Sequence, residues 1–326
     1  MARLSGSKAI DSKRSNPDAE PAPDLISISR ALSRINKRIK LPKARLLAKA
    51  PKFWKSYRRQ DRVIERASIR ALVEQIELPD YRQLGLSIAN CWPNRRCRSP
   101  MCTYCRYRRW LYDRRRLQQM VCSSAYEDIV FCTVIIGASA LEIDQLREQI
   151  DGFKKQFRQT IRKDTGRDKR WLGLAWRGRI ELDYFLPGTT DLGIYKLRTL
   201  RELGFVPNGS AFLLPHLHVV IRLNGLTRKQ VRRRLRRQFP GFKRVVIGHF
   251  RKNKSRSENI DRLSRYMLKS LPPILALPGR GSKKLKPRQP EHLLFYVRVL
   301  HELGGFQGLS MRSRTPPPDP PPNSNC

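Results

Sequence analysis

Ten residues, Phe212-Leu213-Leu214-Pro215-His216-Leu217-His218-Val219-Val220-Ile221, constrain the fold of this chain more than any other stretch. The run is apolar and β-branched, and two histidines sit two apart within it, so it reads as a strand. Side chains alternate between the faces of a strand. His216 and His218 therefore share one face, and Leu217 and Val219 take the other. Two imidazoles side by side can hold a divalent ion if a neighbouring strand supplies a third ligand. The plainer alternative is a pair of half-buried histidines on an ordinary strand.

A partner strand is legible upstream. Leu172 through Tyr184 reads as one or two strands, and within Arg179-Ile180-Glu181-Leu182-Asp183-Tyr184 the two carboxylates share a face. The alternation alone does not choose between Glu181 and Asp183. Ile129 through Ile136 reads as a buried strand, and residues 140–164 as a helix with Leu146, Ile150, Phe153 and Phe157 on one side. Ile194 to Leu203 reads as a short helix. Thr227 is placed to cap a basic helix over Arg228 to Gln238. Lys243 to Phe250 reads as a strand, and Asn259 to Leu271 and Glu291 to Leu303 as helices. Upstream, Phe53 through Glu77 carries apolar residues at helical spacing, with Pro79 expected to end that helix.

Four of the seven cysteines fall within fifteen residues, as Cys91-x5-Cys97-x4-Cys102-x2-Cys105. Four soft ligands in a polar, arginine-rich setting fit a structural Zn²⁺ site better than core packing. The cysteines run into Arg106-Tyr107-Arg108-Arg109-Trp110-Leu111-Tyr112-Asp113-Arg114-Arg115-Arg116, a basic helix with interleaved aromatics. Arg106, Arg108, Arg109, Arg114, Arg115 and Arg116 are the expected DNA-binding residues. Tyr107 and Trp110 are open to either of two roles, stacking on bases or packing against the zinc module.

Lys and Arg total 68 against 27 acidic residues, a net charge of +41. That excess calls for a polyanionic partner, nucleic acid first and an anionic membrane surface second. No apolar run is long enough to span a bilayer, and no apolar signal region is seen at the start, so a cytoplasmic or nucleoid-associated protein is expected. The chain divides into a disordered basic arm (1–45), a helical region (46–85), a zinc-binding basic module (86–122), an α+β domain with C-terminal helices (123–310) and a disordered proline-rich tail (311–326).

In chain order these pieces resemble the HUH-type replication initiators of rolling-circle plasmids. The resemblance rests on Phe131-Cys132-Thr133-Val134, on Glu181 in Arg-Ile-Glu-Leu, on Pro215-His216-Leu217-His218, and on Tyr266-Met267-Leu268-Lys269. The segment Cys102-x-x-Cys105-Arg106-x-Arg108-Arg109 matches a cysteine-rich stretch found upstream in some of these initiators. Coverage runs from about residue 90 to about residue 270.

The resemblance implies an α+β fold: a five-stranded antiparallel sheet, flanked by helices, with the histidines at its centre, preceded by a four-cysteine zinc module and a basic helical region. It implies site-specific nicking of single-stranded origin DNA and strand transfer, with host helicase and polymerase as further partners, and it adds plasmid association. Tyr266 would be the nucleophile, and Lys269 would orient the phosphate or favour the phenolate. His216, His218 and Glu181 would hold Mg²⁺ or Mn²⁺, and the product would be a 5′-phosphotyrosine and a free 3′-hydroxyl. Tyr296, the other tyrosine downstream of the histidines, has Val299 three residues on in place of a lysine.

Two positions depart from the family's pattern. Ser270 follows Lys269 where many members have a second tyrosine, and Arg262 stands where some carry an acidic residue one turn before the nucleophile. Initiation is therefore better supported than termination. An HUH transposase would use the same chemistry, and a non-catalytic zinc protein that coats nucleic acid would share the charge and the cysteines.

Overall fold

The computed structural model describes residues 65–75, 78–91, 94–122, 124–140, 142–162, 168–185, 194–207, 209–267, 275–276, 286–287 and 290–313. The expected basic arm, the start of the upstream helix, Lys269 and the proline-rich segment lie outside these residues.

The fold is α+β. Strands β1 (Ile129–Ile135), β2 (Ala175–Phe185), β3 (Phe212–Arg222), β4 (Val245–His249) and β5 (Ser310–Arg312) form one antiparallel sheet in the order β4-β1-β3-β2-β5. The histidine strand β3 is therefore central. The helices are α1 (Pro79–Ala89), α2 (Thr103–Val121), α3 (Ile143–Arg162), α4 (Ile194–Glu202), α5 (Arg228–Gln238), α6 (Arg256–Tyr266) and α7 (Pro290–Glu302).

On one face of the sheet, Ile180, Leu182, Leu217 and Val219 share a core with Leu146, Ile150 and Phe157 of α3, Val231 and Leu235 of α5, and Tyr296 and Leu300 of α7. On the other, Ile129, Ala175 and Val220 pack against Leu117, Met120 and Val121 of α2 and Ile260 and Leu263 of α6. Helices on both faces explain why β3 reads as a nearly continuous apolar run. Its histidines lie on the α2/α6 face.

Pro215 is unusual in a central strand, because it cannot donate to the ladder. Ile136 N–H donates to the Pro215 carbonyl (3.0 Å), so the Pro215 nitrogen also faces β1, just past its last residue. The orphaned partner would be the Ile136 carbonyl, and Arg244 Nη2 donates to it instead (3.1 Å). At Gly178 an added Cβ would lie 2.5 Å from the His218 carbonyl oxygen, so only glycine lets β2 approach β3 this closely beside the histidine.

Three boundaries differ from expectation. Pro79 does not only follow a helix: it opens α1, where its missing N–H costs nothing and its fixed φ suits the first turn. Helical residues 65–73 precede it, and α1 runs through residue 85, across the expected junction between the helical region and the zinc module. Helix α6 starts at Arg256 rather than Asn259, capped by Ser255 and Glu258 in a reciprocal capping box. Ser310–Arg312 adds an edge strand to β2, so the central sheet continues past residue 310. Thr227 caps α5 as expected, in a capping box with Gln230. Among the described residues no helix is long and apolar enough to cross a membrane.

Candidate metal centres and nucleophile

Register brings the first cluster together. Glu181 on β2 lies directly opposite His216 on β3, and Thr133 on β1 lies opposite His218. Glu181 Oε2 is 3.2 Å from His216 Nε2 and 2.8 Å from His218 Nε2. One ligand atom from each of the three buried residues falls within 4.8 Å of the others. Asp183 is two residues along, half-buried, and accepts from Lys196 Nζ at 3.2 Å. Of the two carboxylates that sequence left open, Glu181 faces the histidines.

Each imidazole is held from behind. His216 Nδ1 is 3.2 Å from the Leu214 carbonyl, which can only accept, so Nδ1 carries the proton and Nε2 faces Glu181. His218 Nδ1 is 3.0 Å from Thr133 Oγ1. Partners of this kind fix ligand tautomers in metal sites.

Burial pushes the Glu181 carboxyl up, but hydrogen bonds from His216 and His218 outweigh it and hold the group at about 2. Burial likewise works against a charge on His216, where the Glu181 hydrogen bond prevails and raises it. On His218 burial wins, and its affinity for a proton falls. Without a metal the carboxylate thus favours a proton on His216, and burial disfavours one on His218. Two imidazole nitrogens and one carboxylate are a donor set that can take a divalent cation in place of that proton.

Tyr266 ends α6 with its ring 4.5 Å from the His218 ring, edge on, and 5.4 Å from Phe131. It is 42% exposed. Tyr296 is 0% exposed on the opposite face, where its hydroxyl donates to the Leu182 carbonyl (3.1 Å) and burial pushes its pKa far up. Of the two downstream tyrosines, only Tyr266 stands beside the histidines and reaches solvent.

The cysteines form the second cluster. Sγ atoms of Cys91, Cys97, Cys102 and Cys105 all lie within 4.8 Å of one another, with Cys91–Cys105 at 3.5 Å and Cys97–Cys105 at 3.7 Å. The edge of a tetrahedron around Zn²⁺ with bonds of ~2.3 Å is ~3.8 Å, so the spacing fits. The Cys97 N–H donates to Cys91 Sγ (3.5 Å). Cys102 caps α2 and Cys105 sits in its first turn, where the helix dipole favours thiolates. Hydrogen bonds from the other three sulfurs, Cys102 first, pull the Cys91 thiol well down, and the same contacts, Cys105 first, push Cys102 up. Four sulfurs this close need a cation to ionise together.

The six arginines expected on DNA do not share one outward face. Arg108, Arg115 and Arg116 are exposed. Arg106 is 4% exposed, so it turns inward, away from the surface that the exposed arginines occupy. Arg109 pairs with Asp113 (2.9 Å), and Arg114 with Asp261 of α6 (2.5 Å). Trp110 is buried and its indole N–H donates to Ser264 of α6 (2.9 Å), and Tyr107 is buried beside it, so both rings pack rather than stack on bases.

A charged cluster escaped the sequence altogether. Buried Asp113 also pairs with Arg177 (2.6 Å) and Arg179 (3.4 Å) of β2. Burial raises the Asp113 carboxyl, but the surrounding guanidiniums, Arg179 first, bring it below its ordinary value. Its partners lie 64 and 66 residues away, so no local pattern announces them.

No known protein-family model, curated protein or solved structure matches this chain.

Proposed function

We propose that this chain is an HUH-type replication initiator that nicks single-stranded DNA at a specific site through Tyr266. The observation that carries this reading is the convergence of Glu181, His216 and His218 under the exposed ring of Tyr266. Strand register brings Glu181 of β2 to the two histidines of β3, and the packing of α6 sets Tyr266 over them.

Mg²⁺ or Mn²⁺ held by Nε2 of His216, Nε2 of His218 and the Glu181 carboxylate would supply charge stabilisation to the phosphate. Tyr266 Oη forms a bond to phosphorus and gives up its proton. The phosphorus–O3′ bond breaks and the departing oxygen takes a proton, so the overall proton count is unchanged. The products are a 5′-phosphotyrosine and a 3′-hydroxyl that a host polymerase can extend. The Leu214 carbonyl holds His216 in the tautomer that leaves Nε2 for the cation, and the Thr133 hydroxyl orients the His218 ring. Lys269, three residues beyond Tyr266, is assigned the phosphate. The four-cysteine cluster takes a structural Zn²⁺ that fixes the start of α2. The partner is origin DNA, and the place of action is the bacterial cytoplasm.

The test is incubation of the protein with a random-sequence pool of single-stranded oligonucleotides and Mn²⁺, read on a denaturing gel. The expected result is a protein–DNA adduct that disappears with EDTA and in the His216→Ala/His218→Ala protein, which still binds DNA. Binding without any cleavage would favour a protein that only coats nucleic acid. Cleavage without an adduct would point to water as the attacking group.

A further inference from the structure

On the β2 face that lies under α2, Arg177 and Arg179 continue the row that begins with Glu181, and Arg179 lies opposite His218. With Arg109 they set three guanidiniums against the single charge of Asp113, leaving two positive charges over. Beside this cluster stands Tyr112 of α2, one of the large aromatic side chains left 39% exposed. Its ring is framed by Arg177 (5.0 Å to the centroid), Arg109 (5.3 Å) and Arg116 (5.6 Å).

The ring keeps a solvent-facing surface, and the cations gathered around it repel one another. The pair of features makes sense if a flat, polyanionic ligand covers them. A nucleobase offers a π-face to the ring and its phosphates answer the excess charge. An acidic peptide would satisfy the charge and leave the ring uncovered.

We infer that Tyr112, with Arg109, Arg116 and Arg177, is a stacking and phosphate site for one nucleotide of single-stranded DNA. The strand is the one cleaved at the Glu181–His216–His218 centre. This deepens the nicking proposal and rests on it for the identity of the strand. The site is not one of the rings sequence singled out: Tyr107 and Trp110 face inward, and Tyr112, next along the helix surface, faces out. Arg109 and Arg177 are pre-positioned by Asp113, so little side-chain freedom is lost when DNA binds.

The test uses the full chain carrying Tyr266→Phe, without added metal, so that binding is read with no cleavage. The probe is fluorescent oligo-thymidine, followed by anisotropy across a salt series. Tyr112→Ala should weaken binding about ten-fold or more, and Tyr112→Phe, which keeps the ring, should not. Arg116→Gln should flatten the dependence of log affinity on log salt by about 0.7. Ultraviolet crosslinking should map to the peptide containing Tyr112. Unchanged affinity in Tyr112→Ala would overturn the site, as would polyglutamate displacing the oligonucleotide equally from Tyr112→Ala and its parent. The two proposals fail separately. An adduct formed by Tyr112→Ala on the Tyr266 background, with oligo-thymidine affinity intact, sinks only the stacking site. Tyr112-dependent binding by a protein that never forms an adduct sinks only the nicking.

Discussion

Each histidine of the His-Glu-His centre is fixed through the nitrogen that faces away from Glu181. For His218 that hold is the Thr133 hydroxyl (3.0 Å), contributed by a different strand. Thr133→Val keeps the side-chain shape and removes the hydrogen bond. It should lower Mn²⁺ affinity by about ten- to a hundred-fold, measured by titration calorimetry, whereas unchanged affinity would mean that packing alone orients the ring. Protons compete at the other ligand. His216 is raised above 6.5 because, against burial, its hydrogen bond to Glu181 prevails, so in the metal-free protein this pair stabilises the fold below 6.5 and is lost as pH rises through the folded value. Metal binding requires the opposite state, with Nε2 bare. The gain in Tm on adding Mn²⁺ should therefore be larger at about pH 8 than at about pH 6, and a gain independent of pH would remove His216 from the ligand set. Glu181, held at about 2, is already ionised at both values, and its contribution fades only as pH falls from 4.5 toward 2. The ligands were legible because strand alternation puts His216 with His218 and Glu181 with Asp183. The choice of Glu181 was not, since it depends on a cross-strand register that no local pattern states.

Helix α2 connects the two candidate metal centres. Its N-terminus carries Cys102 and Cys105, and its body docks α6 through Trp110–Ser264 and Arg114–Asp261. Arg256 of α6 returns a hydrogen bond to the Val121 carbonyl at the end of α2 (2.7 Å). The helix that bears Tyr266 thus leans on the helix that the cysteines begin. Stripping Zn²⁺, or Cys102→Ser, should lower Tm and cut adduct formation while leaving Mn²⁺ at His216 and His218. Metal analysis finding no zinc, with all four thiols freely titratable in the native protein, would contradict the assignment. Asp113 ties α2 to β2. Asp113→Ala would leave Arg177 and Arg179 buried without their carboxylate and should cost about 3–5 kcal/mol in urea denaturation, and a change under about 1 kcal/mol would show the pairs to be solvated. Long periodic elements such as α3 and α5 could be read from sequence. Pro79 carried two meanings, since a proline that stops one helix can also open the next. Ser310–Arg312 is three residues of edge strand and carries too few alternations to be seen. Ser255-Arg256-Ser257-Glu258 is a capping signature in plain view, and it sets the start of α6 earlier than apolar spacing alone does.

At the scale of the molecule, the sheet sorts the chemistry by face. The apolar residues of β3 bury against α3, α5 and α7, and the face under α2 and α6 carries the histidines, Glu181, the β2 arginines and Tyr266. The chain as a whole carries a net charge of +41. Affinity for a random single-stranded oligonucleotide should fall about a hundred-fold or more between ~50 and ~200 mM salt, and a flat response would contradict phosphate neutralisation as the source of binding. That fall would belong equally to a protein that merely coats DNA. The central claim concerns the bond formed by one phenol. The measurement that tests it is mass spectrometry of the protease-digested protein–DNA adduct formed with Mn²⁺. The account predicts a nucleotide mass on the peptide containing Tyr266 and none from Tyr266→Phe. A nucleotide on Tyr296, or an undiminished adduct in Tyr266→Phe, would contradict it.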